Sequence, residues 1–132
     1  MKNKLQQLLN NSYTPYYKFP VASVVIMKDG TEFYGVNVET SSPAAGICAE
    51  RNALYSAIAQ GYKKNDVKEI HVMSKTEDDC FPCFICRHAL NDLCDKNVKV
   101  FSHTYSDSKI TTHTIEELCP YPFSDDNMKE TL

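Results

Sequence analysis

Four residues of this chain have types and spacing that could together hold a metal ion and move protons: Cys48, Glu50, Cys83 and Cys86. Cys83 and Cys86 are three positions apart, so at a helix start both thiols project from one side of the first turn. Helix N-termini stabilise thiolates through their partial positive charge, and Cys48 begins another predicted helix. Three thiolates suit tetrahedral zinc and leave one position open for an activated water. Glu50, two residues after Cys48, could exchange protons with that water without being a ligand.

Two arginines stand directly beside this set. Arg51 follows Glu50, and Arg87 follows Cys86. A guanidinium that donates to the thiolates would withdraw negative charge from the zinc and so strengthen it as a Lewis acid. We assign this role to Arg51 in preference to Arg87.

A closed metal site is the main alternative. The spacing Cys80-x-x-Cys83-x-x-Cys86 offers a fourth sulfur, which would make the zinc structural and the chain a non-enzymatic domain. Pro82 separates Cys80 from the predicted helix, and this favours the open site. The four histidines show no ligand spacing, and we assign them to structural or surface positions: His71, His88, His103 and His113.

The bulk composition indicates a globular protein. The 132 residues predict a single domain, 1–132, and no apolar run approaches the ~20 residues that a membrane helix needs. The net charge of −3 argues against a nucleic-acid partner. The first residues contain no apolar signal core, so we expect a cytoplasmic protein in which clustered cysteines serve metal binding or catalysis.

Hydrophobic periodicity predicts the order α-β-β-α-β-α-β-β-α. Apolar spacing of three and four favours helices at 2–11, 47–61 and from Cys83 onward, and a single helical turn at 115–118. β-Branched runs indicate strands at 21–27, 31–38, 69–74, 98–102 and 110–113, with Asp29-Gly30 as a hairpin turn between the first two. Pro120 and Pro122 are expected to end regular structure. Helices that cross between strands favour an α/β fold with a mixed sheet.

Several motifs resemble those of one enzyme family: Phe19-Pro20-Val21, Asn37-Val38-Glu39, Cys48-Ala49-Glu50-Arg51, Pro82-Cys83-Phe84-Ile85-Cys86-Arg87 and Leu118-Cys119-Pro120-Tyr121-Pro122-Phe123. The cysteines and Glu50 match the zinc deaminase signature. Together the motifs, over about residues 16–123, are similar to the small homotetrameric cytidine deaminases whose zinc is held by three cysteines. The resemblance implies a three-layer α/β/α fold with a central mixed five-stranded sheet, one zinc per subunit and active sites shared between subunits. It also implies hydrolytic deamination of cytidine and 2′-deoxycytidine in pyrimidine salvage.

The same resemblance implies roles for individual residues. Phe19 would pack beside the pyrimidine, and Asn37 and Glu39 would bind the ribose hydroxyls. The backbone around Ala49 would bond the edge of the base. Phe123 would reach into the pocket of a neighbouring subunit.

Four positions depart from the usual family pattern. Glycine is usual where this chain has Ala22 and Phe84, asparagine where it has Thr40, and glutamine where it has His88. Two related activities also remain open. A blasticidin-S-type deaminase shares the zinc signature, but the Asn37-x-Glu39 pair and the Pro-Tyr-Pro-Phe ending favour a nucleoside. A nucleic-acid-editing deaminase would need a basic track for phosphates.

Overall fold

The computed structural model describes residues 1–129, so residues 130–132 of the predicted domain lie outside the described residues. No helix in the described part is both long and apolar enough to span a membrane. The α-helices are α1 (Lys2–Leu9), α2 (Ala49–Ala59), α3 (Phe84–Leu93), α4 (Ile115–Leu118) and α5 (Asp126–Lys129), and two short 3₁₀ helices span Pro43–Ala45 and Lys64–Asp66. The strands are β1 (Val21–Met27), β2 (Glu32–Val36), β3 (Val67–Ser74), β4 (Lys99–His103) and β5 (Ile110–Thr114).

The five strands form one mixed sheet in the order β2-β1-β3-β4-β5. β3 and β4 run parallel, with α3 as the crossover between them, whereas the other neighbouring pairs are antiparallel. β1 lies between β2 and β3, and five of its seven residues are buried, as its continuous apolar run predicts. The mixed five-stranded sheet is therefore confirmed.

Helices cover both faces of the sheet. On one face, Leu5 and Leu9 of α1 pack against Ala22, Val24 and Met73. The opposite face carries the larger core, in which residues of α2, α3 and α4 join the inward side chains of β1, β3 and β4. The layers are thus helix, sheet and helix, which confirms the three-layer arrangement.

Two helix boundaries matter for the cysteines. α2 begins at Ala49 and α3 at Phe84, so Cys48 and Cys83 are the N-cap residues, both in extended conformation. The expectation that Pro120 and Pro122 end regular structure is wrong for the described residues, since α5 begins at Asp126. A proline prevents a helix from continuing through it, but places no restriction on a new helix four residues later.

A pair of histidines lies buried on the α1 face of the sheet. His71 Nδ1 and His103 Nε2 are 2.8 Å apart, and the His71 ring stacks on Phe101 with centroids 4.8 Å apart. Burial lowers the pKa of both imidazoles, to about 4 for His103, while nearby Glu69 partly opposes the shift at His71. Both rings are therefore neutral in the folded protein at pH 7. The expectation that these histidines are structural agrees with their burial.

This pair should make stability depend on pH. An unfolded histidine has a pKa near 6.5, so the unfolded chain binds protons that the folded pair does not. The stabilisation from keeping this pair neutral should be complete above about pH 6.5. The free energy of unfolding, measured by urea denaturation, should fall by about 1 kcal/mol between there and pH 5.5. His103→Gln, whose amide can replace Nε2 but does not titrate, should flatten this dependence. His113→Gln at a half-buried position outside this pair is the control and should leave the pH dependence unchanged. Equal slopes in all three proteins would contradict the assignment.

Candidate metal and catalytic site

The N-termini of α2 and α3 meet and bring three thiols together. The Sγ atoms of Cys48, Cys83 and Cys86 all lie within 4.8 Å of one another, and those of Cys48 and Cys83 are 3.7 Å apart. A tetrahedron with 2.3 Å zinc–sulfur bonds has an edge of about 3.8 Å. The three thiols therefore fit one zinc ion in both donor chemistry and separation.

The absence of a side chain at one position of β2 allows α2 to pack closely against the sheet. A Cβ added at Gly35 of β2 would lie 2.2 Å from the carbonyl oxygen of Ala49 and 2.6 Å from the amide nitrogen of Ala53. Both are backbone atoms, so no rotamer change could relieve the clash. Gly35 thus determines how closely the first turn of α2 approaches the sheet, and with it the position of Cys48 and Glu50. Sequence analysis missed this residue, although a glycine inside a strand is a signal for close backbone approach.

Cys80 does not join the three thiols. Among residues 1–129, the cluster of ligand atoms contains Cys48, Cys83 and Cys86 and no fourth cysteine or histidine. The Cys80 amide donates instead to Ser102 Oγ at 2.8 Å, and burial raises the pKa of its thiol to about 11. The described residues thus bring together three candidate ligands and leave Cys80 outside the cluster.

Arg51 lies against two of the sulfurs. Its Nε donates to Cys86 Sγ at 3.4 Å, and its Nη2 donates to Cys48 Sγ at 3.5 Å. The pKa of Cys48 falls to about 5 because the Cys86 thiol and the guanidinium both hydrogen-bond to its sulfur. Arg87 takes no part here, since its guanidinium donates to the carbonyls of Pro82 and Leu118.

Glu50 is a buried carboxyl beside this cluster. It lies in the first turn of α2, only 4% of its surface is exposed, and it is outside the set of ligand atoms. Burial is the main cause that raises its pKa to about 7, with the negative charge of Cys48 adding to the effect. A carboxyl group with a pKa near neutrality can both accept and release a proton in one reaction cycle.

A cavity of about 480 Å³ opens next to the thiols. It is lined by both members of the Asn37-x-Glu39 pair, by Cys48 and Arg51, and by residues that sequence analysis did not identify, among them Tyr16, Tyr17, Ile47 and Ile85. No periodicity singles out these four, because they lie in loops or on an exposed helix turn. Three predicted substrate residues do not line it: Phe19, Ala49 and Phe123.

The side chain of Asn37 uses most of its hydrogen-bonding capacity on other residues of the same chain. Its Oδ1 accepts from the Val21 amide at 2.8 Å and from Ser12 Oγ, and its Nδ2 donates to the Phe19 carbonyl at 2.8 Å. One Nδ2 hydrogen is left for a ligand, so Asn37 can offer a donor but no further acceptor.

Glu39 supplies the acceptor that Asn37 lacks. Its carboxylate accepts from the backbone amides of Tyr16, at 3.0 Å, and Tyr17, at 3.2 Å. A carboxylate has about four lone-pair sites, so two amides leave capacity for a hydroxyl. Asn37 and Glu39 therefore form a complementary donor and acceptor at the cavity wall.

Removing candidate ligands should separate the two metal-site models. We expect Cys80→Ser to retain one zinc per chain, because this partly buried thiol lies outside the cluster. Cys86→Ser should lose zinc to a chelator, since it removes one of the three candidate ligands in the cluster. Zinc content is measured by mass spectrometry after dialysis; equal loss from both variants would show that Cys80 is a ligand.

Comparison with known proteins agrees with this geometry. The family model described as "Cytidine and deoxycytidylate deaminase zinc-binding region" matches residues 1–102. The chain is 34% identical over 124 residues to a cytidine deaminase of Halalkalibacterium halodurans, covering 94% of this chain and 92% of the relative. It is also 34% identical over 115 residues to a cytidine deaminase of Mycoplasma genitalium, covering 87% and 86% of the two chains.

Solved structures show the same relationship. A cytidine deaminase from Burkholderia pseudomallei superposes with a TM-score of 0.86 at 30% identity, covering 92% of this chain and 94% of that one. One from Mycobacterium leprae gives a TM-score of 0.75 at 27% identity, covering 91% and 94%. The family model matches most of the chain, the relatives align along most of its length, and the solved structures share its fold. This chain therefore belongs to the cytidine and deoxycytidylate deaminase family, a family of zinc-dependent hydrolytic deaminases.

Proposed function

We propose that this protein catalyses the hydrolytic deamination of cytidine and 2′-deoxycytidine to uridine and 2′-deoxyuridine, with release of ammonia. The observation that carries the proposal is the cluster of three sulfurs within 4.8 Å with the buried carboxyl of Glu50 beside it. The curated relatives from Halalkalibacterium halodurans and Mycoplasma genitalium are themselves cytidine deaminases.

In this proposal Cys48, Cys83 and Cys86 hold the zinc, which when bound supplies an activated water as the nucleophile for C4 of the cytosine ring. Arg51 offsets the charge of two of the thiolates through its hydrogen bonds to their sulfurs. Two helix N-termini add partial positive charge at the same point. The protein thus keeps a strongly anionic ligand set from weakening the electrophilic metal.

Glu50 carries the protons. Its carboxylate takes a proton from the attacking water as the bond to C4 forms, and delivers that proton to N3 of the ring. It then takes the proton of the new C4 hydroxyl and passes it to the amino nitrogen, so that the C4–N bond breaks, ammonia leaves and the C4 carbonyl forms. The buried position of the carboxyl keeps its pKa near 7, so neither the acid nor the base form is strongly disfavoured at neutral pH.

The sugar binds at the Asn37 and Glu39 wall. A ribose hydroxyl can donate to the Glu39 carboxylate and accept from the free Asn37 Nδ2 hydrogen. Phe19 is tied to this wall through its carbonyl and, at 46% exposure, offers a ring for the pyrimidine to pack against. The backbone at Ala49, next to Cys48, would bond the edge of the base.

The charges of the cavity favour a nucleoside over a nucleotide. Glu39 is a carboxylate, and the one cationic side chain among the lining residues, Arg51, has its Nε and Nη2 directed at sulfurs. Among these lining residues, a 5′-phosphate would therefore have no free cationic side chain to bind, and the negative charge of Glu39 would repel it. The same reasoning disfavours single-stranded DNA or RNA, whose binding depends on phosphate contacts.

We further propose a homotetramer with shared sites. Phe123 is 59% exposed and does not line the cavity of its own chain, which supports a role at the cavity of a neighbour. Other large apolar side chains near the N-terminus of α3 are also exposed, including Phe84 and Ile85. Subunit contact would cover this apolar surface.

The cytoplasm is the compartment we propose, with a role in pyrimidine salvage. All six cysteines are free thiols in the structure, and a reducing compartment preserves such thiols for metal binding. A cytosine nucleoside that is deaminated there enters the uridine pool.

Glu50→Gln tests the chemical role. The amide cannot exchange protons, so turnover of cytidine should fall by about 10²–10⁴-fold or more, while zinc content stays at one per chain. Loss of ultraviolet absorbance on cytidine measures turnover, with 2′-deoxycytidine, deoxycytidine monophosphate and blasticidin S as comparison substrates. Full activity in the variant would remove Glu50 from the mechanism, and faster wild-type turnover of blasticidin S than of cytidine would overturn the substrate assignment.

Mixed tetramers test whether sites are shared. Phe123→Ala should raise the KM for cytidine, and Glu50→Gln chains contribute no active sites of their own. In tetramers assembled from both variants, the working sites belong to Phe123→Ala chains but can receive Phe123 from a Glu50→Gln neighbour. Their KM should return toward the wild-type value. A KM as high as that of the Phe123→Ala homotetramer would show that Phe123 acts within its own chain.

A further inference from the structure

The C-terminal strap, residues 119–123, joins α4 to Phe123. Tyr121 in its middle has a φ of +50°, a left-handed conformation that residues with side chains adopt infrequently, and its own side chain is fully exposed. The strap therefore does not gain its shape from burial of Tyr121. Contacts at its two ends must fix it.

Arg87 makes the contact at the first end. Its Nη1 donates to the carbonyl of Leu118, the last residue of α4, at 3.0 Å, and its Nε donates to the carbonyl of Pro82 at 2.6 Å. The guanidinium also lies 4.4 Å from the centre of the Phe84 ring, a cation–π distance. One side chain thus bridges the residue before Cys83 and the residue before the strap.

His88 makes the contact at the second end. Its ring is parallel to that of Phe123, with an interplanar angle of 6° and centroids 6.4 Å apart. The His88 Nε2 lies 3.3 Å from Asp92 Oδ2 on the next turn of α3, which holds the imidazole in place. Phe84 and His88 are both positions at which this chain departs from the usual family pattern.

These contacts share a helix turn with the metal ligands. Cys83 caps α3 and Cys86 lies in its first turn. Phe84 and His88 are exposed neighbours on the same helix, and Arg87 between them is half-buried. We propose that Arg87 is a positioning residue that holds the strap at a set distance from the metal-binding loop, with His88 orienting Phe123. The inference rests on the proposed function, in which Phe123 contributes to cytidine binding.

Arg87→Lys is the first test. Lysine keeps the charge, but its ammonium cannot replace the planar fork that holds two carbonyls. The KM for cytidine should rise about five- to tenfold with kcat changed less than about twofold and zinc content unchanged. Tyr62→Phe is the control: it removes hydrogen bonds to Asp29 and Thr31 at the turn between β1 and β2, so it can lower the melting temperature but should not change the KM. A fall in kcat without a change in KM would overturn the proposal.

A double variant tests whether Arg87 acts through the strap. Phe123→Leu alone should raise the KM, and adding Arg87→Lys should then have little further effect. If the KM of the double variant instead rises by the product of the two single increases, the substitutions act independently, and the inference is overturned. Failure of the proposed function has a different signature, since the wild-type protein would then not deaminate cytidine at all.

Hydrogen exchange gives a readout that does not depend on activity. Amides of residues 119–123 should exchange faster in Arg87→Lys than in the wild type or Tyr62→Phe. If Arg87→Lys does not fold, His88→Ala at an exposed position serves instead, with an expected rise in KM of about threefold and faster exchange near Phe123. Unchanged exchange and unchanged KM in a folded variant would rule out the strap contacts as positioning contacts.

Discussion

The structure depends on the convergence of two helix N-termini at one point. Cys48 and Cys83 cap α2 and α3, so each thiol sits where a helix exposes amide groups and partial positive charge. Cys86 completes the set one turn into α3. A metal site built in this way needs both crossover helices to be placed correctly, and the face of the mixed sheet on which both pack supplies that placement. The cluster of sulfurs therefore depends on the whole fold, because a displacement of either helix would separate the sulfur atoms.

Two arginines directly follow residues of the proposed site, yet their side chains make different contacts. Arg51 is three residues from Cys48 along α2, so its guanidinium reaches back over the helix start to the sulfurs. Arg87 directly follows Cys86 and therefore projects about 100° away from it around α3, toward backbone carbonyls of other segments. One guanidinium offsets charge, and the other joins segments of the chain.

Much of this could be predicted from the sequence. Within residues 1–129, apolar periodicity indicated every strand and every α-helix except α5, but neither of the two 3₁₀ helices. The cysteine spacing indicated the three clustered thiols and the position of Glu50 next to them. The boundaries of α2 and α3 differ by one or two residues from the predicted ones, and only the structure shows that Cys48 and Cys83 are caps. Tyr16 and Tyr17 could not be found, because their place at the cavity depends on the path of a loop that Glu39 holds by its backbone amides. The substrate roles of Phe19, Asn37, Glu39, Ala49 and Phe123 stay predictions.

Gly35 has a consequence for altering this enzyme. The distance between β2 and α2 is set by direct contact of main-chain atoms across that glycine, without an intervening side chain. Substitutions in the cavity wall can reshape the space for a new sugar or base while leaving this distance untouched. A side chain at position 35 would instead shift Cys48 and Glu50 together, displacing a proposed zinc ligand and the proposed proton carrier in the same movement. Libraries of variants designed to accept new substrates should therefore vary the loop residues of the cavity wall and keep Gly35, so that the distance between β2 and α2 stays constant.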